Sequence, residues 1–320
     1  MNREPSLDAS FLIPTFNSEQ YIQRCLESIL KQTHSKKKYE VLVLDGGSID
    51  KTIDIVFGFE RKMNLRIIHN ELRDAESAKT KGMKLSRGEV IILLDSDNEI
   101  VHREWLSLGV MIMGKHPELW GIHSPWSFNR DDISLNKYFS LLGNSDPLAK
   151  LLGSTPELEK DCKRYKIVRM RKGTPIIGAN GFFWRRSILD QELKKFEKFE
   201  EVNFVSHIIA EGMQMYAILS EDFGVRHYYC NSVYGYFMKR FKVANKFIHR
   251  KKKHQITWVD REGKMKLLFA FFYCVTIIGP LIESLIRSFS SKKIQWFFHP
   301  LISFITAIIY FYSATKILRK

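Results

Sequence analysis

Cysteine is scarce in this chain, four in 320 residues, and Cys25, Cys162, Cys230 and Cys274 stand far apart with no Cys-x-x-Cys spacing. A thiolate metal site is therefore not expected, and reduced thiols in a cytosolic setting are the default. The first residues, MNREPSLDAS, lack an apolar stretch, so no secretory signal is expected there. A Gly-rich phosphate loop is also missing from the PTFNSEQ segment, which counts against a nucleotidyltransferase. The basic residues form no separate domain, and this counts against nucleic acid as the partner.

Positive charge and apolar residues are plentiful. The net charge of +15 calls for an anionic partner, whether a phosphorylated small molecule or an anionic membrane surface. With 45% hydrophobic and 27% charged residues, a chain of this length holds one large catalytic domain plus an appendage.

Between residues 10 and 120, short apolar runs at 10–14, 39–44, 65–69 and 90–94 alternate with helical spacing at 19–31 and 76–85. Strands separated by helices predict an α/β domain with a mostly parallel sheet flanked by helices. Ligands of such sheets bind beyond the carboxyl ends of the strands. The first run ends in Pro14-Thr15-Phe16-Asn17, where backbone N–H groups and an aromatic ring make a seat for a planar base. The second ends at Asp45, followed by two glycines that let the chain approach a ligand. The fourth ends in Asp95-Ser96-Asp97-Asn98. Carboxylates two residues apart past a buried strand repel each other unless a cation joins them, and oxygen ligands suit Mg²⁺ or Mn²⁺ bridging to a diphosphate. The competing reading is an acidic turn that caps the next helix.

The composition changes after residue 264. Residues 265–286 are almost wholly apolar, with Glu283 near the end, and 297–318 form a second apolar stretch. Each reaches the length of about 20 residues that a bilayer-crossing helix needs, so two C-terminal transmembrane helices joined by the link 287–296 are expected; the alternatives are a pair of buried core helices, or one or both segments lying in the membrane interface. Lys246, Arg250, Lys251, Lys252, Lys253, Arg261, Lys264 and Lys266 lie before or at the start of the first stretch, and Lys316, Arg319 and Lys320 at or after the end of the second. The link carries only Arg287, Lys292 and Lys293, so both flanks and both termini are expected on the cytoplasmic side. Segment 246–264 reads as a basic juxtamembrane stretch able to meet anionic lipid.

Taken in order, PTFN, LVLDGGSIDKT, AKTKGMKLSRGEVIILLDSDN and IIGANGFFWRRSIL resemble an inverting family 2 glycosyltransferase of the GT-A fold, over about residues 8–245. The resemblance implies that Pro14, Thr15, Phe16, Asn17 and Asp45 hold the nucleoside of a UDP- or GDP-sugar, with Lys79 and Lys81 in a basic motif. It makes Asp95, Ser96 and Asp97 the metal and diphosphate site, with His227 a further metal ligand. The basic run Lys239-Arg240-Phe241-Lys242 is expected on the leaving diphosphate. Gly178, Ala179, Asn180 and Trp184 fall on the acceptor side. The usual Glu-Asp pair reads Glu200-Glu201 here, which puts Glu201 where the family carries its catalytic Asp. Residues 126–172 match the shared core poorly and are expected to form a helical insert. The processive QxxRW motif is absent. The implied activity is transfer to a lipid-linked saccharide or glycolipid at the cytoplasmic membrane face. Polyprenyl-phosphate sugar synthesis is one alternative, and a catalytically inactive scaffold is another.

Overall fold

A computed structural model describes residues 7–177, 180–196, 198–253 and 256–318. The strands in chain order are β1 (Leu7–Thr15), β2 (Tyr39–Asp45), β3 (Leu65–His69), β4 (Gly88–Leu93), β5 (Asn98–Ile100), β6 (Gly121–His123), β7 (Trp126–Ser127), β8 (Glu157–Asp161), β9 (Tyr165–Arg169), β10 (Phe182–Arg185), β11 (Met215–Leu219) and β12 (Val225–His227). The helices are α1 (Ile22–Leu30), α2 (Thr52–Phe57), α3 (Ala75–Leu85), α4 (Trp105–Lys115), α5 (Ser134–Leu142), α6 (Pro147–Leu152), α7 (Arg186–Lys195), α8 (Glu201–Ala210), α9 (Val233–Lys252), α10 (Trp258–Glu262), α11 (Lys264–Thr276), α12 (Ile278–Ser291) and α13 (Phe298–Leu318).

These elements divide into two compact units. The first runs through Ser127 and adds Glu157–Arg169 and Ile177–His227. The second comprises Phe128–Pro156, Met170–Ile176 and the chain from Tyr228 onward.

The first unit is an α/β structure around a nine-stranded sheet ordered β3-β2-β1-β4-β10-β6-β11-β9-β8, with a second, three-stranded sheet ordered β5-β12-β7. Every residue of β2 is buried, as the continuous apolar run of a strand covered on both faces requires. The first four strands are parallel. Beyond them the sheet turns mixed, because β10 runs antiparallel to both β4 and β6, and β9 antiparallel to β11 and β8. The expected mostly parallel sheet is thus corrected. Only Cys162–Arg164 separate β8 from β9, and so short a connection joins antiparallel strands alone.

The same hairpin corrects the expected helical insert. In β9 the buried Tyr165 and Ile167 flank the exposed Lys166, a period of two that makes a strand rather than a helix. Helices α5 and α6, which precede it, belong to the second unit.

In the second unit the stretch 265–286 is not one helix. It breaks at Ile277 (φ 64°), and α11 and α12 meet at 76°. Pro280 supplies the reason: its ring clashes with the carbonyl four residues back, that of Thr276, which is the last residue of α11. Among the described residues, one helix is long and apolar enough to cross a bilayer unaided, within Ile294–Lys316.

The joint between β1 and β4 carries the turn at residue 95. Gly88 lies against the β1 backbone so closely that a Cβ there would stand 2.3 Å from the Ala9 carbonyl carbon. We expect Gly88→Ala to destabilise the first unit by about 3 kcal/mol, since backbone cannot give way as a side chain can. Urea unfolding followed by circular dichroism measures it.

Candidate active site

The carboxyl ends of β1, β2 and β3 enclose a cleft of about 110 Å³ lined by Pro14, Thr15, Phe16, Gly46, Asn70 and Arg73, among others. Two loops are laced together at its rim. Asn17, in the left-handed region at φ 47°, donates from its N–H to Ser48 Oγ (2.9 Å) and accepts from the Ile49 N–H (2.9 Å). Asp45 accepts from the N–H groups of Gly47 and Ser48 (2.9 and 3.0 Å) and from Ser48 Oγ (2.6 Å). The Asp45 carboxylate therefore holds its own turn, which needs Gly47 at φ 82°. The Phe16 ring is 49% exposed, so an aromatic face is open to a planar ligand.

Asn70, Arg73 and Asp74 were not singled out by sequence. They follow β3, and the rule that pointed to the ends of β1, β2 and β4 applies equally to that strand. Phe16 and Arg73 line the same cleft, and an aromatic ring and a guanidinium each suit a flat, electron-rich base.

Past β4, Asp95 and Asp97 sit in a turn closed by Asn98, which donates from its N–H to the Asp95 carbonyl (3.0 Å). The Asn98 side chain accepts from the Asp95 N–H (3.0 Å) and donates to Asn180 Oδ1 (3.0 Å). Asn180 is thereby tied to the acidic turn, while Gly178 and Ala179 lie outside the described residues. Ser96 Oγ meets Ser18 Oγ at 2.9 Å. His227 on β12 pairs across from Asn98 on β5, which brings its Nε2 to 3.4 Å from Asp97 Oδ1.

No group of three metal-ligating side chains is preassembled among the described residues. The donors present nevertheless suit a divalent cation. Two ligands about 2.1 Å from one ion and at right angles stand about 3 Å apart, close to the Asp97–His227 separation. Carboxylate and imidazole donors are those Mn²⁺ accepts.

Lys79 and Lys81 part company. Residues two apart on a helix face opposite ways, so only one can reach the strand ends. Lys79 is buried, with its Nζ 2.5 Å from Glu201 Oε1 and 3.4 Å from Asp95 Oδ1. Lys81 instead donates to the His69 carbonyl (2.7 Å) on the exposed face. Burial lowers the Lys79 pKa, but Asp95 and Glu201 together raise it more, so the ammonium is held charged. Burial raises the Glu201 carboxyl above its ordinary value; Lys79 opposes the shift and Asp95 adds to it. Glu201 opens α8, and Glu200 is the N-cap residue before it. Thr80 Oγ1 accepts from the Phe199 N–H (2.9 Å), which tethers the chain leading into this pair.

Residues 10–193 match the family described as glycosyl transferase family 2. The chain belongs to that family. It is a glycosyltransferase. One relative, a dolichyl N-acetyl-α-D-glucosaminyl phosphate 3-β-D-2,3-diacetamido-2,3-dideoxy-β-D-glucuronosyltransferase of Methanococcus voltae, is 26% identical over 92% of this chain and 94% of its own length. Glycosyltransferase AglE of Haloferax volcanii is 35% identical over 41% of this chain and 44% of its own. Among solved structures, the mannosyltransferase PcManGT of Pyrobaculum calidifontis with GDP-Man and Mn²⁺ superimposes with TM-score 0.59 at 15% identity, covering 97% of this chain and 88% of that one. That likeness places the fold with the GT-A glycosyltransferases.

Three residues expected at the site have other surroundings in this glycosyltransferase. Trp184 is core rather than acceptor surface, packed among Trp120 (ring centroids 5.3 Å apart), Phe182 and Phe199, because both faces of β10 are covered. Arg240 is buried in the second unit, where it donates to Asp146 (2.8 Å), the Ser145 carbonyl (2.7 Å) and Tyr229 Oη (2.9 Å). Those bonds occupy the guanidinium that was expected to clamp a diphosphate. Lys239 donates to the Tyr229 carbonyl at 2.9 Å.

We expect Phe16→Ala and Arg73→Ala each to weaken binding of the donor nucleotide about five- to tenfold, the worth of one stacking or cation–π contact. Isothermal titration with nucleoside diphosphates reads the change. Lys81→Ala, on the outer face, leaves the affinity within twofold.

Proposed function

We propose that this protein is an inverting, metal-dependent glycosyltransferase that moves a sugar from UDP or GDP to a hydroxyl of a lipid-linked saccharide. The observation that carries the reading is the single cluster at the strand ends, in which Lys79 lies between Asp95 and Glu201 while Asp97 faces His227. The relatives support the donor and acceptor classes: the M. voltae enzyme is named for a dolichyl-phosphate-linked sugar, and PcManGT was solved with GDP-Man and Mn²⁺.

Phe16 and Arg73 bind the base, and the backbone around Asp45 and Gly46 approaches the ribose. Asp95, Asp97 and His227 would hold Mn²⁺ or Mg²⁺, which supplies neutralisation of the diphosphate charge. Glu201 takes the proton of the acceptor hydroxyl. That oxygen forms its bond to the anomeric carbon from the face opposite the diphosphate, the bond to the diphosphate oxygen breaks, and the configuration inverts. Lys79 stays protonated throughout, orients the Glu201 carboxylate and keeps positive charge beside Asp95.

The C-terminal helices attach the protein to a membrane, with the catalytic unit on the cytoplasmic face. Support comes from the apolar span within Ile294–Lys316 and from the excess of Lys and Arg on the flanks over the link.

A donor screen with UDP- and GDP-sugars, detecting released nucleoside diphosphate with Mn²⁺ or Mg²⁺ present, tests the assignment. Release from none of them would overturn it. Asp95→Ala and Asp97→Ala should each lower kcat at least about a hundredfold without loss of helical signal. A base with a raised pKa loses activity as the pH falls through that raised value, so the acid limb of kcat/KM should lie above the ordinary glutamate range. Lys79→Met removes the charge that opposes the shift, and the acid limb should then move up by about one to three pH units.

A further inference from the structure

Helix α12 wears its hydrophobic residues on the outside. Ile278, Leu281, Ile282, Leu285, Ile286 and Phe289 recur at the spacing of one helix face, and all six are exposed, from 39% for Leu285 to 81% for Phe289. The opposite face carries the hydrogen-bonding groups, with Pro280 and Ser284 buried, Glu283 half-buried and Arg287 exposed. Ser284 is buried and donates to the Trp296 carbonyl (2.9 Å). Glu283 accepts from Tyr273 Oη (2.6 Å), and the Arg287 guanidinium lies 4.7 Å from the centre of the Trp296 ring. A helix facing water would be arranged the other way round. Next to it, α11 exposes Met265, Leu268 and Phe269.

Length and direction limit what this face meets. At 14 residues α12 is about 21 Å long, short of the roughly 30 Å hydrocarbon core of a bilayer. The 76° bend prevents α11 from extending it into a straight crossing. Charge selects the occupant. Lys292 and Lys293, both exposed, follow the helix at its C-terminal end, and the net charge of +15 works against self-association while favouring an anionic surface.

We infer that α11 and α12 lie within one leaflet of an anionic bilayer, with the outward face of α12 among the acyl chains and Lys292 and Lys293 at the phosphate level. The inference rests on the membrane attachment proposed above and replaces a bilayer-crossing first span with an in-plane anchor. It needs nothing from the transfer chemistry.

The test uses the full chain with Cys162→Ser, which removes the half-buried thiol and leaves Cys25, Cys230 and Cys274 buried. Single cysteines at Ile278→Cys, Ile282→Cys, Leu285→Cys and Phe289→Cys carry a bimane label. They are read with vesicles of phosphatidylcholine plus phosphatidylglycerol, which contain lipids quenched near the headgroup or near the chain end. All four labels should shift to the blue and be quenched alike, more by the shallow quencher than by the deep one. Lys292→Glu with Lys293→Glu should weaken vesicle binding about tenfold. Depth that increases steadily from residue 278 toward the bilayer centre would overturn the in-plane arrangement while leaving membrane attachment standing. Labels unchanged by vesicles would overturn both. Donor turnover in the same samples reports on the transferase reading separately.

Discussion

The catalytic unit depends on one buried cation. Lys79 places an ammonium between Asp95, at the end of β4, and Glu201, at the start of α8. Without it, two carboxylates from elements distant in the chain would share a partly desolvated site uncompensated, and removing one member of such a buried pair commonly costs several kcal/mol. The packing that brings the lysine there is visible one turn along α3. A Cβ on Gly82 would stand 2.8 Å from Leu44 Cδ1 and 3.1 Å from Leu12 Cδ2, so α3 reaches the sheet only because that position is bare. Residues three apart share a helix face, and the close approach at Gly82 therefore carries Lys79 toward the strand ends.

Around this cation, side chains lock the loops to one another. Asn17 ties the turn after β1 to the turn after β2, Asn98 ties the acidic turn to Asn180, and Thr80 holds the backbone that leads into Glu200 and Glu201. Each link is a hydrogen bond between segments at least 30 residues apart. Together they hold the residues proposed for donor, cation and base on a scaffold of buried strands and short tethers, an arrangement that would limit the reorganisation needed at the moment of reaction.

The second unit follows a different rule. Several of its buried polar groups pair with one another, Arg240 with Asp146, Tyr310 with the same carboxylate (2.7 Å) and Tyr236 with Thr306 (2.6 Å). Its outward helical faces are apolar at α11, α12 and parts of α13. Exposed apolar faces beside buried, paired polar groups are what the proposed membrane attachment rests on.

Much of the catalytic unit is legible in the amino-acid sequence. Buried parallel strands leave continuous apolar runs, so the first four strands and the turns after β1, β2 and β4 could be read from composition, and the acidic pair of Asp95 and Asp97 stood out as punctuation. Strand direction beyond β4, the choice between Lys79 and Lys81, the burial of Trp184, the capture of Arg240 by Asp146 and the recruitment of Arg73 were not readable in this way. Each of those depends on which residue, remote in the chain, stands opposite after folding, and a one-dimensional pattern carries periodicity and local turn chemistry but not the identity of distant partners. The bend at Ile277 is an intermediate case: Pro280 is a helix breaker by its own chemistry, and only packing determined that the two halves would turn through 76° and leave six hydrophobic residues facing outward.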